Sequence, residues 1–271
     1  MKICNDLSVL ISIYDGIKIN LLKKSFESIY KQTIFPKEII IVLDGVKKNE
    51  IIEYVKNLKK KKIKIKVIKN KINIGIPGSY NKAIKYCKTE LIAVQDSDDF
   101  SKKDRFQKQL DHFKKKKNLS LVSSSIKERY KKKFYIKNAL KNGLDINKII
   151  LFRNPINHPT VMFKRKAIIE SGMYKDCYRM EDYHLWIRFL HKKLIFFSIQ
   201  EPLVYTEVND DFFKRRSDTR IILSELKIQL LLSRLKFNNI FFCITIFAIK
   251  TFYHSLPIIL KRNFRLFFFK K

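Results

Sequence analysis

The first hundred residues alternate between two hydrophobic patterns. Short β-branched runs predict four strands, over 7–13, 38–43, 63–68 and 91–95. Longer amphipathic stretches between them predict three helices, over 18–31, 50–59 and 79–88. We expect Phe35-Pro36 to end the first helix. Strands that alternate with helices in this way predict an α/β fold with a mainly parallel sheet.

The pattern is less regular after residue 100. It predicts a helix over 103–116 and a strand over 119–123, and then a lysine-rich stretch up to Gly143 for which we predict no element. Ordered structure is expected again over 154–163. Apolar residues at helical spacing then predict a helix over 181–190.

The C-terminal residues have a different composition. After Glu225 the sequence has no acidic residue, while lysines and arginines interrupt a very apolar sequence. The longest apolar run, 240–249, is ten residues long, about half of the ~20 that a helix needs to span a bilayer. This pattern favours a helix that lies in a membrane interface with basic anchors. The alternative is a buried C-terminal helix that closes the core.

Length and cysteine content exclude several classes of protein. A chain of 271 residues is long enough for one large domain, or for one domain with an appendage. The cysteines are far apart and form no CxxC pair, so neither a disulfide framework nor a zinc site is indicated. We expect a reducing cytosol, and the first twenty residues do not resemble a secretory signal.

The net charge is strongly positive. The chain has 58 Lys and Arg against 25 Asp and Glu, which gives +33. Such a charge favours polyanions or an anionic membrane surface as partners, but it does not choose between them. Lysine is abundant along the whole chain, so we expect most of these side chains to form a solvated surface.

The acidic sequence Asp96-Ser97-Asp98-Asp99 follows the fourth predicted strand. Alternate residues at a strand end project to the same side, so Asp96 and Asp98 can converge on one point. Three carboxylates this close repel each other unless a cation lies among them, and oxygen ligands suit Mg²⁺ or Mn²⁺. The carboxyl end of a parallel strand is also where open α/β sheets bind ligands. The alternative is an acidic turn that caps the next helix.

Two further sequences lie at predicted strand ends. Asp44-Gly45 closes the second strand, where a carboxylate can accept a hydrogen bond from a base and glycine allows a close approach. A plain turn explains this pair almost as well. The segment 73–79 has two glycines and opens a helix, so its backbone N–H groups can face an anion.

Two candidate groups lie in the second half of the chain. Glu181-Asp182 begins a predicted helix, where acidic residues are favoured by the helix dipole. A carboxylate there can also act as a general base that takes a proton from a hydroxyl nucleophile. His158 lies in a loop with two prolines, and it either contacts substrate or has a structural role.

Taken in order along the chain, these motifs resemble those of the family 2 glycosyltransferases, which have the GT-A fold. The resemblance covers about residues 7–210 and rests on the segment 8–14, Gln32, Asp44-Gly45, 73–79, 96–99 and Glu181-Asp182. The sequences 154–163, 181–186 and Lys214-Arg215-Arg216 resemble the bacterial subgroup that builds capsular polysaccharide, exopolysaccharide or O-chains, including amylovoran-type enzymes. Members of that subgroup work at the cytoplasmic face of the inner membrane.

The resemblance implies a GT-A catalytic domain over 1–215, with a donor half of about 1–100 and an acceptor half of about 101–215. Residues 216–271 would form a basic, apolar helical tail that associates with the membrane. The implied donor is a UDP- or dTDP-sugar, and the implied acceptor is a glycan or a lipid-linked glycan. We expect no nucleic-acid partner.

The resemblance also implies roles for single residues. Ser12 and Tyr14 would border the nucleotide pocket, and Asp44 would contact the base. Asp96 and Asp98 would bind the ribose and the diphosphate.

The remaining implied roles concern the metal and the reaction. Asp98 and Asp99 would hold Mn²⁺ or Mg²⁺. Asp182 would be the catalytic base of an inverting transfer, with Glu181 beside it, and His158 would contact the acceptor. Many relatives have an acidic residue where this chain has His184, and this difference affects the environment of the base.

Two other classes of function compete with this one. The charge also fits a basic nucleic-acid-binding protein, although the basic residues are scattered and no nucleic-acid motif is present. A sugar nucleotidyltransferase would share the α/β architecture. It should carry a glycine-rich, arginine-containing loop after the first strand, and the segment 14–18 is not such a loop.

Overall fold

A computed structural model describes residues 2–58, 63–142, 144–209, 218–257 and 259–261. The strands are β1 (Lys2–Ile13), β2 (Ile34–Asp44), β3 (Lys64–Asn70), β4 (Leu91–Val94), β5 (Phe100–Ser101), β6 (Leu119–Tyr130), β7 (Lys133–Lys137), β8 (Met162–Lys164) and β9 (Ile195–Val208). The helices are α1 (Ile19–Tyr30), α2 (Asn49–Leu58), α3 (Gly75–Tyr86), α4 (Arg105–Lys115), α5 (Ile146–Ile149), α6 (Arg165–Glu170), α7 (Glu181–His191), α8 (Arg220–Arg234) and α9 (Ile240–Ser255).

The described strands form one nine-stranded sheet in the order β3-β2-β1-β4-β8-β6-β9-β5, with β7 paired to β6. β1 to β4 run parallel, and so do β6 and β9. β8 lies antiparallel between β4 and β6, so these two strands point the same way. The carboxyl ends of β1 to β4 and of β6 therefore lie at one edge of the sheet. The α/β prediction is confirmed, and antiparallel pairing is confined to β5, β7 and β8.

Helices cover both faces of the sheet. On one face α1, α2 and α4 bury Phe26, Val55 and Phe106 against the odd-numbered residues of β1. On the other face α3, α6, α7 and α8 form a second apolar cluster that contains Tyr80 and Trp186. Each fully buried side chain of this size contributes about 2 kcal/mol through the removal of apolar surface from water. This two-sided burial explains why the paired segments 7–13 of β1 and 39–43 of β2 are mostly apolar.

Several element boundaries differ from the sequence-based predictions. β1 begins at Lys2, five residues before its predicted start. β2 begins at Ile34, so Pro36 lies inside the strand. Pro36 pairs with Cys4 of β1, and the regular pairing of the two strands is interrupted between Cys4 and Ser8. β6 continues to Tyr130, and β7 follows it, so the lysine-rich stretch contains a hairpin. Cross-strand pairing stabilises this hairpin in spite of its charge.

α3 begins four residues earlier than predicted, at Gly75. The N–H groups of a first helical turn have no acceptor within the helix, so a proline there loses no hydrogen bond. Pro77 occupies the first turn of α3. Gly78, which we expected in a loop, is therefore helical.

The C-terminal helices form a hairpin against α7. Ile228 and Leu232 of α8 are fully buried in the same cluster as Trp186, so α8 closes the core. α9 buries Cys243 and Ile246. Within the described ranges, no helix is both long enough and apolar enough to cross a bilayer. The predicted boundary at 215 and the sequence Lys214-Arg215-Arg216 lie outside the described residues.

Candidate active site

Polar side chains collect where the parallel strands end. Ser12 is half-buried near the end of β1, and Asp44 is buried at the end of β2. Asp96 follows β4 and accepts a hydrogen bond at 3.1 Å from the hydroxyl of Tyr80 on α3. Tyr14, just beyond β1, is 40% exposed. Four of the five donor-side residues that the resemblance selects therefore lie at this sheet edge, and the fifth, Asp98, belongs to the turn that begins at Asp96.

The Asp44 carboxylate accepts three hydrogen bonds inside the protein. Its Oδ1 accepts from the Asn70 side-chain amide and from the Ile74 backbone N–H, each at 2.9 Å. Its Oδ2 accepts from the Gly75 N–H, also at 2.9 Å. The backbone donors at the start of α3, which we expected to face an anion, therefore face the chain's own carboxylate.

Gly45 is required by the backbone beside it. Its φ of +66° lies in the left-handed region, and a Cβ there would come within 2.4 Å of the Asn73 backbone nitrogen. The close approach predicted at this glycine is therefore made by the 72–73 loop of the protein itself.

The acidic turn has crowded like charges. Asp96 and Asp98 are half-buried, and Asp99 is buried. Burial raises the pKa of Asp99 well above its ordinary value, and the negative charges of Asp96 and Asp98 raise it further. A divalent cation would relieve this repulsion, so the donor set fits Mg²⁺ or Mn²⁺.

The protein offers this cation only part of a coordination shell. In the described ranges, no group of three or more His, Cys, Asp or Glu side chains is arranged to hold a metal ion. Mg²⁺ commonly binds through one or two carboxylates and completes its shell with phosphate oxygens and water. A cation at Asp98 and Asp99 would therefore need a phosphate-bearing ligand.

An aromatic cluster connects the acidic turn to the second half of the site. The ring of Tyr80 stacks on His158, with centroids 5.7 Å apart and an interplanar angle of 17°. His158 Nε2 lies 2.9 Å from the hydroxyl oxygen of Tyr174. The Asn81 side chain holds the Tyr174 backbone through two hydrogen bonds, at 2.8 and 2.9 Å. His158 therefore lies between the two halves, where it supports the cluster.

Glu181 and Asp182 begin α7, as predicted, and Asp182 is fixed at both oxygens. Oδ2 accepts from the Asn154 side-chain amide at 2.7 Å, and Oδ1 accepts from the Tyr183 backbone N–H at 2.8 Å. The Tyr183 hydroxyl donates to the carbonyl of Ile150. Asn154 therefore orients the carboxylate that the resemblance selects as the base.

Electrostatics place the two acidic groups in one site. Burial raises the pKa of the Tyr174 hydroxyl well above its ordinary value, and the charges of Asp182 and Asp96 raise it further. Burial also raises the pKa of Tyr80, with added contributions from Asp96 and Glu181. The charges of the acidic turn and of the start of α7 therefore act on the same two tyrosines.

Glu181 and His184 have shifted pKa values. Burial, and then the charge of Asp182, raises the pKa of Glu181 to about 7. Burial, and then the charge of Arg188, lowers the pKa of His184 to about 4. His184 is therefore neutral near pH 7, and its Nδ1 accepts from Arg188 Nε at 3.2 Å. The position that is acidic in many relatives thus carries no charge here.

We predict that Glu181→Gln changes how stability depends on pH. The folded-state pKa of Glu181 lies above its usual 4.5, so its favourable contribution is complete below pH 4.5 and is lost as the pH rises through about 7. Relative to the wild type, the variant should gain about 3 kcal/mol of unfolding free energy between pH 4.5 and 8. Urea unfolding across this range measures the gain.

The exposed Glu50, replaced by Gln, is the matched control for this measurement. A Glu181→Gln curve parallel to that of the wild type would show that Glu181 is not desolvated.

The site contains residues that sequence analysis did not select. Asn154 was part of a motif but had no assigned role. Tyr80 and Tyr174 carried no sequence signal, because an aromatic residue at helical or loop spacing is usually a core residue. Asn70, which holds both Asp44 and the Ser79 hydroxyl, ends a strand that showed only an apolar pattern.

Comparisons with known proteins agree with the fold and with the order of the motifs. The pattern of "Glycosyl transferase family 2" matches residues 8–199. The chain is 31% identical over 225 residues to an Escherichia coli UDP-Gal:alpha-D-GlcNAc-diphosphoundecaprenol beta-1,3-galactosyltransferase, covering 82% of this chain and 81% of the relative. It is 27% identical over 258 residues to the amylovoran biosynthesis glycosyltransferase AmsE of Erwinia amylovora, covering 93% and 94%.

Solved structures share the fold at low sequence identity. TarS of S. aureus in complex with UDP-GlcNAc superposes with a TM-score of 0.62 at 17% identity, covering 87% of this chain and 71% of TarS. The mannosyltransferase PcManGT of Pyrobaculum calidifontis, solved with GDP-Man and Mn²⁺, gives 0.61 at 14% identity, covering 98% and 81%. The GT-A fold predicted from the resemblance is therefore confirmed.

The chain is thus an α/β protein of the GT-A fold, with acidic groups at the carboxyl edge of its sheet. Within that class, the chain belongs to glycosyltransferase family 2. It is therefore a glycosyltransferase, and the family-level prediction from the sequence is confirmed.

Proposed function

We propose that this glycosyltransferase moves a sugar from a nucleotide-sugar donor to a hydroxyl group of a growing bacterial surface polysaccharide, with inversion at the anomeric carbon. The observation that carries the proposal is the aromatic cluster of Tyr80, His158 and Tyr174. Tyr80 donates to Asp96 at one end of this cluster, and the charge of Asp182 acts on Tyr174 at the other. The acidic turn would bind the donor diphosphate, and Asp182 would take the proton of the acceptor hydroxyl. The names of both relatives are in keeping with a role in polysaccharide synthesis.

On the donor side, we propose that Ser12, Tyr14 and Asp44 bind the nucleoside. A carboxylate oxygen has about two acceptor positions. Oδ1 of Asp44 accepts two hydrogen bonds from described residues and Oδ2 accepts one. Oδ2 can thus accept a further bond from a base N–H. UDP or dTDP is the proposed carrier, since uracil and thymine both offer such a donor and the E. coli relative is named for UDP-Gal.

We propose that Asp98 and Asp99 hold a divalent cation, Mn²⁺ or Mg²⁺, with Asp96 beside them. Such a cation, when bound, neutralises charge on the leaving diphosphate. The residues themselves supply the oxygen ligands and keep the cation at the sheet edge. A solved structure of the same fold was obtained with GDP-Man and Mn²⁺.

On the acceptor side, we propose that Asp182 takes the proton of the attacking hydroxyl. The Asn154 amide and the Tyr183 N–H hold the carboxylate in one orientation. Attack from the face opposite the leaving diphosphate gives inversion. Glu181, with its raised pKa, lies beside the base, and His158 remains a predicted acceptor contact.

We propose that the acceptor is lipid-linked and that the enzyme works at the cytoplasmic face of the inner membrane. The first relative is named for an undecaprenol-linked acceptor. On α9, an exposed apolar stripe contains Phe241, Ile244, Ile249 and Phe252. The sequence after Glu225 contains basic residues and no acidic residue. This combination fits a helix in an anionic membrane interface.

The orientation of α9 also supports this proposal. α9 is antiparallel to α8, and its Lys250 pairs with the buried Glu225 at 2.8 Å. The Lys250 ammonium also lies 5.4 Å from the ring centroid of Tyr183. Tyr183 directly follows Asp182 in the sequence. A bilayer bound to α9 would thus lie near the acceptor side of the site.

We predict that Phe241→Ser combined with Phe252→Ser weakens binding to anionic lipid vesicles. The two rings are 79% and 70% exposed, so little folding free energy should change. Removing both rings from the lipid should lower the partition coefficient by about tenfold or more. Vesicle flotation measures the change, and Phe134→Ser on β7, which is 59% exposed, is the matched control. Equal binding by both variants would contradict the placement of the membrane surface on α9.

A donor panel tests the proposed activity. The purified protein is heated with UDP-, dTDP- and GDP-sugars, each with and without Mn²⁺, and its Tm is recorded. We expect a UDP- or dTDP-sugar to raise Tm only when Mn²⁺ is present. NMR of the product of the best donor then gives the anomeric configuration. Retention of configuration would contradict the proposed mechanism.

A further inference from the structure

A fully buried polar network lies beneath the acidic turn, and Arg105 is at its centre. Arg105 has no exposed surface. Among the described residues its donors meet neutral oxygens: Gln109 Oε1 at 3.1 Å, Gln95 Oε1 at 3.2 Å, Ser101 Oγ at 2.9 Å, and the carbonyls of Val94 at 2.8 Å and Val161 at 3.4 Å. The charges that act on it through space are those of Asp96 and Asp99.

Gln95 connects the Arg105 guanidinium to the backbone of the acidic turn. Its Oε1 accepts from Arg105 Nη1 and, at 2.6 Å, from the Ser101 hydroxyl. Its Nε2 donates to the carbonyls of Asp96 at 3.2 Å and Asp99 at 2.7 Å. One amide group therefore contacts both ends of the acidic turn.

Arg105 fixes the orientation of this amide. A guanidinium has no acceptor, so only the oxygen of the Gln95 amide can face it. The NH₂ group must then point at the two turn carbonyls. The Ser25 hydroxyl adds a further bond to the Asp96 carbonyl at 3.0 Å. The backbone of the turn is thus held from below, while its carboxylates remain at the sheet edge.

We propose that Gln95 is a positioning residue of the donor site: with Arg105 behind it, Gln95 holds the 96–99 turn in the shape that binds a nucleoside diphosphate together with a divalent cation. The inference rests on the proposed function. Gln95 itself touches neither ligand, and it acts through the turn backbone.

Gln109 provides a matched control within the same network. It is also fully buried and also accepts from Arg105. Its Nε2 donates to two backbone carbonyls, those of Val122 at 3.0 Å and Thr160 at 2.7 Å. Substitution of either glutamine by Met removes one bond accepted from Arg105 and two bonds donated to backbone carbonyls. Gln95→Met also removes the contacts with the Ser101 and Ser25 hydroxyls. Only the Gln95 change reaches the acidic turn.

The test compares Gln95→Met with Gln109→Met by titration calorimetry of UDP in the presence of Mn²⁺, alongside urea unfolding. We expect both variants to lose unfolding free energy, and Gln95→Met to lose more, because it also removes the contacts with the Ser101 and Ser25 hydroxyls. UDP affinity should fall by about tenfold or more in Gln95→Met and by less than about twofold in Gln109→Met. Equal UDP affinities in the two variants would overturn the proposal, since a purely structural role affects both alike.

Ser101→Ala keeps the test decisive if Gln95→Met does not fold. This change removes the second donor to Gln95 Oε1, together with the Ser101 acceptor of Arg105, and leaves the bond between Arg105 and Gln95 in place. We expect about threefold weaker UDP binding, and unchanged affinity would overturn the proposal. Failure of the proposed function is recognised separately, because the wild type would then bind no UDP with Mn²⁺.

Discussion

Asp182→Asn should lower the rate of sugar transfer by about 10²–10⁴-fold, which is the usual contribution of a general base. An amide has the shape of the carboxylate but cannot take the proton of the acceptor hydroxyl. The donor side is unchanged, so UDP affinity in the presence of Mn²⁺ should stay within about twofold. Steady-state kinetics and calorimetry of the same protein preparation measure the two effects.

Asp176→Asn is the matched control for this substitution. Asp176 is exposed and lies six residues before Asp182, and its charge also acts on Glu181. We expect nearly normal turnover. An Asp182→Asn enzyme with wild-type kcat would show that another group, with Glu181 as the first candidate, takes the proton.

The second large effect is expected at the acidic turn. Asp98→Ala should weaken UDP binding in the presence of Mn²⁺ by about 100-fold or more, since even indirect partners of a metal site contribute 10–100-fold. Asp99→Ala should have a similar effect. Calorimetric titration of UDP with Mn²⁺, repeated with EDTA in place of the metal, isolates the cation-dependent part of the affinity.

Asp111→Ala on α4 serves as the control for loss of an acidic residue, because its carboxylate accepts from Gln107 away from the turn. Wild-type affinity in both turn variants would contradict a cation at this turn. If UDP affinity falls in Asp98→Ala but not in Asp99→Ala, Asp98 is the cation ligand and Asp99 is a buried neighbour.

Much of the donor half could be predicted from the sequence. β1, β2 and β4 have strong apolar patterns because they are buried on two faces, the edge strand β3 alternates, and each helix between them is buried on one face. The acidic turn could be found because three carboxylates this close repel each other unless a cation lies among them. Glu181-Asp182 could be found because the helix pattern placed it at a helix start.

Long-range contacts could not be predicted in the same way. Tyr80 and Tyr174 are 94 residues apart in sequence, and only the folded sheet brings both to His158. Gln95 reads as the last residue of a strand, and its role depends on the guanidinium of Arg105. Asp44 could be selected, but the sequence did not show that its partners are the N–H groups at the start of α3.

The middle and the tail were harder for a different reason. The β6–β7 hairpin is rich in lysine, so its strands lack the apolar alternation that predicts a strand. The two helices of the tail differ in burial, and a membrane interface at α9 stays a prediction. α8 is part of the core, whereas α9 leaves a stripe of apolar side chains exposed.

The most direct measurement is a crystal structure of the protein with UDP-sugar and Mn²⁺. We predict that the diphosphate lies at Asp98 and Asp99, with the Asp182 carboxylate facing the anomeric carbon from the side opposite the leaving phosphate. A nucleotide bound elsewhere would contradict this account. One such place is the cavity of about 540 Å³ at the other end of α7, which is lined in part by Lys141, Lys193 and Lys236.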